Sequence, residues 1–339
     1  MKVLVIGAGR MGLRHCLGVL KVTTIDTLVV VDVNQNALEN AKSQLEDKKN
    51  ETIIEYCILE DFLKLNTTID IVIIAATASS RIEICKKLLR FNPKYFLIEK
   101  PLGQSVNQVE QLIHFFNEHT NVKVFVNLNT RLYSGYQKLK KDLQSLTQLK
   151  GQLTISINTG TVGIGANGIH YIDLIKYLTD ASAIKVVTAF IDDTVIPSGR
   201  GSNFADFGGY AVLDYLNSNA QLLARAHLIL GSQSTVLGPW EIVGPNGRVL
   251  IDEFEQTRFN KYRKADSELP VQRYAGDYLP METEKFEVPF LNDLTEEWLR
   301  QLIKGNFILP QIGETIEVHK AMFEWLNKGN SYKDEFPIT

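Results

Sequence analysis

Three cysteines (Cys16, Cys57 and Cys85) in 339 residues are too few and too far apart for a disulfide framework or a thiolate metal cluster. They fit free thiols in a reducing compartment. No apolar run approaches the roughly 20 residues needed to span a bilayer. The opening MKVLVIG meets glycine before it reaches the length of a secretory h-region. The expectation is a cytoplasmic protein with no leader and no membrane partner. Charge is not skewed either: 36 basic against 39 acidic side chains give a formal net charge of −3. That argues against a polyanion-binding surface over the whole molecule, so no nucleic acid is expected, although a local basic patch stays open. Internal repeats, low-complexity tracts, a metal-ligand cluster, a nucleophile elbow and a Walker loop are all missing.

Hydrophobic residues make up 45% of the chain. At roughly 150 residues per domain the length suggests two domains, large enough to need no disulfide or metal staple. Up to about residue 125, short β-branched runs alternate with helical-period segments, the signature of βαβ units and a parallel sheet. Expected strands are Val3–Ile6, Thr27–Val31, Thr52–Cys57, Asp70–Ala75, Tyr95–Ile98 and Lys123–Asn127. Most are continuous apolar runs, as befits strands buried on both faces. Between them lie the stripes Leu13/Leu17/Leu20, Ala37/Leu38/Ala41/Leu45 and Val106/Val109/Leu112/Ile113/Phe116, the last behind a Ser105/Gln108 capping box.

Beyond that point the pattern predicts a helix at Gln137–Leu146 and another near Ile169–Leu178. Strands are expected at Gly151–Asn158, Ile184–Asp192, Gly209–Asn217, Ala220–Leu230, Trp240–Val243 and Arg248–Asp252, with Asn246-Gly247 as a hairpin turn. Two amphipathic helices, Leu291–Ile303 and Glu314–Leu326, close the chain. The fold class is therefore α/β: an N-terminal Rossmann domain (1–124), then an α+β domain (125–339) with a large, mostly antiparallel, open-faced sheet. The C-terminal helices are candidates to pack back on the first domain. Asp193–Gly209 is expected as a loop, and its segment to Asp206, with Arg200 and Asn203, either closes over a ligand or is simply solvated.

Gly7-Ala8-Gly9-Arg10-Met11-Gly12 is a G-x-G-x-x-G run that follows a strand and opens a helix, with Asp32 ending the next strand. That context is what a dinucleotide fingerprint needs. Gly7 permits the tight turn, Gly9 lets backbone approach a pyrophosphate, and Gly12 allows helix and strand to pack closely. The helix N-terminus offers free N–H groups to the phosphates. Asp32 suits the hydroxyls of an adenosine ribose and would repel a 2′-phosphate; no arginine follows it, so NAD is favoured over NADP. His15, one turn into the helix, reads as a packing residue. The second small-residue turn, Ala75–Ser79, places Thr77 at the same sheet edge, either lining the cofactor or merely starting a helix capped by Ser79 or Ser80.

Glu99-Lys100-Pro101 follows the fifth strand. With Gly7–Gly12, Asp32 and the closing Leu309-Pro310 before an amphipathic helix, this triplet resembles the glucose–fructose oxidoreductase/inositol dehydrogenase (Gfo/Idh/MocA) family over nearly the full length. The resemblance implies an NAD(P)-dependent dehydrogenase acting on CH–OH groups, assembled as a dimer or tetramer. It also implies that Lys100 stands beside the nicotinamide and the hydroxyl to be oxidised, with Glu99 at the cofactor. A lysine there can hold the oxygen, stabilise alkoxide charge or exchange its proton; the plain alternative is a solvated strand-end lysine. A cis Lys100–Pro101 bond is expected.

Asn158–Asp173 (NTGTVGIGANGIHYID) puts four glycines before a helix on which His170, Asp173 and Tyr177 share a face. The resemblance makes His170 the acid/base partner of Lys100, in a D-x-x-x-H pattern whose acid is replaced here by Ala166. Asn167 and Asp173 are candidates to help it at the substrate. Arg131 and Tyr133 (NTRLY) correspond to where relatives place a basic residue facing the substrate; an internal ion pair is the alternative. Arg81 stands near a position often held by histidine, without an assigned role. Arg225 and His227 suit a sheet or oligomer surface. The leading expectation is hydride transfer to or from a sugar, polyol or nucleotide sugar, in surface-polysaccharide assembly in its narrowest form. The rivals are a non-catalytic dinucleotide sensor and a reductase of a non-sugar carbonyl or imine.

Overall fold

β-Branched runs bounded by Gly, Asn and Asp fold as six parallel strands in the computed structural model, which describes residues 1–48, 51–160, 162–197, 203–231, 233–264, 278–328 and 335–338. In chain order the first unit contains β1 (Lys2–Ile6), α1 (Arg10–Val19), β2 (Thr27–Asp32), α2 (Gln35–Leu45), β3 (Ile53–Ile58), α3 (Leu59–Phe62), β4 (Ile71–Ile74), α4 (Arg81–Leu88), β5 (Tyr95–Ile98), α5 (Val106–Asn117) and β6 (Lys123–Val126). The strands pair in the order β3-β2-β1-β4-β5-β6, all parallel. Val3, Leu4, Val5 and Ile71 to Ile74 are fully buried, the physical reason these strands show no alternation. The order reverses between β1 and β4, so their carboxyl ends flank the crevice where open α/β sheets bind ligands.

Two local expectations are corrected. The inward face of α1 is Gly12, His15, Cys16, Gly18 and Val19, while Leu13 and Leu17 are half-buried. The leucine stripe misled because α1 is covered on a second side by α8 (Leu291–Ile303), and close packing there selects small residues: a Cβ on Gly18 would strike the Asn292 carbonyl and Thr295. At α5, Ser105 accepts from Gln108 N (3.3 Å), but the Gln108 side chain accepts from Gln104 N (2.7 Å), one residue outside a true capping box.

The first compact unit comprises Met1–Asn129 with Pro289–Ile316, and the second Thr130–Val288 with Glu317–Ile338. The second contains α6 (Ser134–Ser145), β7 (Leu153–Gly160), α7 (Ile169–Thr179), β8 (Ala183–Pro197), β9 (Ala205–Leu216), β10 (Leu222–Gly231), β11 (Trp240–Val243), β12 (Gly247–Asp252), β13 (Thr257–Tyr262), β14 (Glu282–Lys285) and, after α8, α9 (Ile316–Leu326). The sheet order is β14-β13-β12-β11-β7-β10-β9-β8, and among the described residues β7 and β10 are its one parallel pair. Leu153, Ile155 and Ile157 of β7 and Ala224, Ala226, Leu228 and Leu230 of β10 line the buried face. On the opposite face Arg225 is held by Asp214 of β9 through two bonds (2.7 and 2.8 Å). Ile172 and Ile175 sink α7 against the sheet, where Tyr215 donates to the Ile172 carbonyl (3.1 Å).

Strands β13 and β14 escaped the sequence reading because TRFNKY and ETEK are polar segments, β14 at the sheet edge and β13 beside it. The expected loop Asp193–Gly209 is partly strand: β8 runs to Pro197 and β9 starts at Ala205. Arg200, with residues 198–202, lies outside the described residues. No helix among the described residues is long and apolar enough to cross a membrane.

Candidate active site

The loop after β1 is built by its glycines and by Asp32. Gly7 has φ +99°, and a Cβ there would lie 2.9 Å from the Ala75 carbonyl carbon at the end of β4. A Cβ on Gly12 would collide with the Gly7 carbonyl, whereas one on Gly9 would meet nothing within 4 Å. The first and last glycines therefore serve packing, and the middle one borders open space. Asp32 closes the loop from below: Oδ2 accepts from Ala8 N (2.6 Å) and Oδ1 from Asn34 N (2.8 Å). No side chain caps the α1 N-terminus, where Arg10 and Met11 begin the helix. A helix end with no capping side chain, opening onto space beside a half-buried carboxylate, fits a dinucleotide's pyrophosphate and ribose.

At the carboxyl end of β4, Thr77 is half-buried, and its carbonyl accepts from the Ser80 hydroxyl (3.1 Å). The fully buried Arg81 donates twice to the Ala76 carbonyl, from Nε (3.1 Å) and Nη2 (3.0 Å), and so fixes this turn. That role was not readable from position alone.

Lys100 follows β5 and is half-buried, and the Lys100–Pro101 bond is cis, as expected. Glu99, assigned by resemblance to the cofactor, is only 1% exposed and turns into the core. Its Oε1 accepts from Asn127 Nδ2 (2.7 Å) and lies 2.9 Å from His15 Nε2. His15 Nδ1 reaches Thr295 Oγ1 of α8 at 2.8 Å. Burial alone would raise the Glu99 carboxyl, but the His15 contact and the neighbouring Lys100 and Asn127 together hold it down at about 2. His15 is thus buried, as expected, but polar-bonded rather than merely packed.

The other candidates belong to the second unit. The turn Ile164–Gly168 leads into α7 and presents the half-buried His170 one turn later. Asp206, expected in a loop, is buried at the start of β9 and organises this turn: Oδ1 accepts from Gly165 N (2.9 Å) and Phe207 N (2.9 Å), Oδ2 from Ala166 N (2.6 Å). Gly163 lacks a side chain because any Cβ would run into that carboxylate. Asn167 is exposed on the same turn. Arg131 and Asp173, read separately as substrate contacts, are brought together. Arg131 Nε donates to Asp173 Oδ2 (2.6 Å) and Nη2 to Oδ1, with the guanidinium over the Tyr177 ring. Asp173 is fully buried, with its carboxylate held on the Arg131 guanidinium.

Tyr133 stacks on Tyr136, whose hydroxyl donates to Glu253 Oε1 (2.6 Å); Tyr136 and Tyr171 both contact Trp240. Burial raises the Glu253 carboxyl and all three tyrosines. Nothing in the spacing of Glu253, Asp206 or Thr295 marked them, because each meets its partners only through the fold.

The loop, helix and acid define a dinucleotide-binding domain of the NAD-binding Rossmann class. Residues 1–128 match the oxidoreductase family with NAD-binding Rossmann fold known as Gfo/Idh/MocA. No curated protein matches the chain by sequence. In fold it is similar to an oxidoreductase from Agrobacterium radiobacter solved with NAD+, L-tartaric acid and magnesium (TM-score 0.71, 13% identity, 97% of each chain). It is also similar to UDP-N-acetylglucosamine 3-dehydrogenase from Acidithiobacillus ferrooxidans (0.69, 16%, 97% of this chain and 99% of that one). A transcriptional regulator from Kluyveromyces lactis shares the fold as well (0.70, 14%, 96% and 91%).

Proposed function

We propose that this protein is an NAD-dependent oxidoreductase acting on a secondary hydroxyl, or the corresponding ketone, of a sugar, polyol or nucleotide sugar. The observation that carries this is Lys100, half-buried at the carboxyl end of β5, in the sheet whose β1 loop forms the phosphate cradle. Gly9 and the α1 N-terminus would receive the pyrophosphate, with Ala8, Arg10 and Met11 lining the loop, Thr77 the neighbouring turn and Asp32 the ribose. The exposed Val33 and Asn34 beside Asp32 offer no cation to a 2′-phosphate, so NAD is preferred over NADP. The chemistry the dinucleotide supplies when bound is hydride acceptance at the nicotinamide. Lys100 Nζ holds the substrate oxygen and stabilises its charge as the C–H bond breaks and C=O forms. His170 takes the hydroxyl proton on a ring nitrogen. Tyr133, Asn167 and the Arg131–Asp173 pair line the substrate. The three free cysteines, two of them fully buried, suit a reducing cytoplasm.

A second reading, a dinucleotide sensor without turnover, is favoured by Ala166, which leaves His170 without a carboxylate one turn earlier. The experiment is to unfold purified protein, identify released NAD or NADH, and challenge the folded protein with hydroxyl compounds and nucleotide sugars. A substrate-dependent change in the reduced fraction supports the enzyme. Cofactor that binds and keeps its redox state under every substrate, non-sugar ketones and imines included, supports the sensor.

A further inference from the structure

The chemistry above leaves one buried polar chain unused: Glu99, His15, Asn127 and Thr295, from β5, α1, the end of β6 and α8. Donor counting singles out the protonation that makes every contact a hydrogen bond. Thr295 Oγ1 has a single proton and lies 2.9 Å from the Leu291 carbonyl, which can only accept; with the proton there, a lone pair faces His15 and Nδ1 donates to Thr295 (2.8 Å). On the other side Glu99 Oε1 accepts from Asn127 Nδ2 (2.7 Å) and, as a carboxylate oxygen, offers only a lone pair to His15 Nε2 (2.9 Å). Both ring nitrogens then donate. Among the described residues, the charged and polar side chains given against the His15–Glu99 pair are Asn127, Thr295 and Lys100, the last next in sequence to Glu99.

We propose that His15 is an imidazolium bonded at both nitrogens, that it rather than Lys100 is the charge partner of Glu99, and that this buried pair positions Lys100. The inference rests on the reading of Lys100 as the substrate-holding residue. Exposures of 0% and 1% make either charge alone prohibitive, and together they neutralise each other. The low titration of Glu99 agrees with an ionised carboxylate. Glu99 is further fixed by its own amide, which donates to the Ile74 carbonyl (2.9 Å), so the residue before Lys100 is held by backbone and side chain. His15 lies three residues beyond Gly12, so the pair ties the phosphate-binding helix to the lysine-bearing strand end. His15, Glu99, Asn127 and Thr295 are positioning residues in this account.

The first test is ring-nitrogen NMR of histidine-labelled, NAD-free wild-type protein. His15 should show a proton on each ring nitrogen at neutral pH; one bare nitrogen overturns the proposal. The second compares Thr295→Val, which removes the Nδ1 acceptor, with Thr295→Ser, which keeps it. Acetylation of Lys100, read by peptide mass spectrometry at fixed pH, should change about threefold or more in Thr295→Val, the factor given by half a pKa unit. It should return to the wild-type rate in Thr295→Ser. Equal rates in Thr295→Val and wild type overturn the positioning role. No arm uses a substrate, so failure to find a turned-over hydroxyl compound would sink the proposed function and leave this result standing.

Discussion

In the proposed reaction Lys100 and His170 handle the substrate oxygen and its proton, and neither is in the loop between β1 and α1. Lys100→Ala and His170→Ala are each expected to lose about 10² to 10⁴ in turnover while titrating with NAD as the wild type does, checked by calorimetry beside steady-state rates. The loop glycines split differently. A Cβ on Gly12 would overlap the Gly7 carbonyl, so Gly12→Ala should cost about 1–3 kcal/mol of stability in urea unfolding. A Cβ on Gly9 meets only open space, so Gly9→Ala should unfold like wild type yet bind NAD more weakly. Equal NAD affinity in Gly9→Ala would show that this backbone does not approach the cofactor. The residue scale is also where sequence reasoning read best: Gly7 and Gly12 do packing jobs visible at fixed offsets, whereas the bonds by which Asp32 closes the loop depend on where the chain folds back and were not read.

Elements with a strong period were legible, and those defined by partners were not. Leu291–Ile303 and Tyr95–Ile98 have the bounds read from the sequence, because apolar spacing alone specifies them. The α1 face was misassigned because helix α8, about 280 residues later, covers it, and no window contains both. Of the expected Asn246-Gly247 turn, Asn246 lies between β11 and β12 and Gly247 opens β12, so the connection is three residues long, closed by Gly244 N donating to Gly247 O (2.8 Å). The turn before α7 is the sharpest case. Its glycines were visible, yet their cause, the Asp206 carboxylate from β9, was not. Asp206→Ala strips three backbone N–H groups of their acceptor at once. It should cost about 1–3 kcal/mol and broaden or shift the His170 ring signals in NMR; unchanged His170 signals would mean that the turn holds without the carboxylate.

Over the whole molecule, pH acts through carboxylates that the fold treats in opposite ways. Glu253, raised by burial, disfavours the fold once it ionises, so its share of stability is present at low pH and lost as pH rises through its folded value. Glu99 has the other sign. Its carboxyl falls from 4.5 in the unfolded chain to about 2 in the fold, which amounts to ~3 kcal/mol present above pH 4.5 and lost as pH drops toward 2. The three tryptophans let this be read locally, because Trp298 lies in the first compact unit with Glu99, whereas Trp240 and Trp325 lie in the second. With fluorotryptophan labelling, the Trp298 resonance should report an acid transition that Glu99→Gln flattens between those two pH values, with the variant less stable at pH 7 and converging on wild type in acid. A stability difference that stays constant from pH 7 to the acid limit would mean that Glu99 carries no charge in the folded protein, and the buried pair with His15 would go with it.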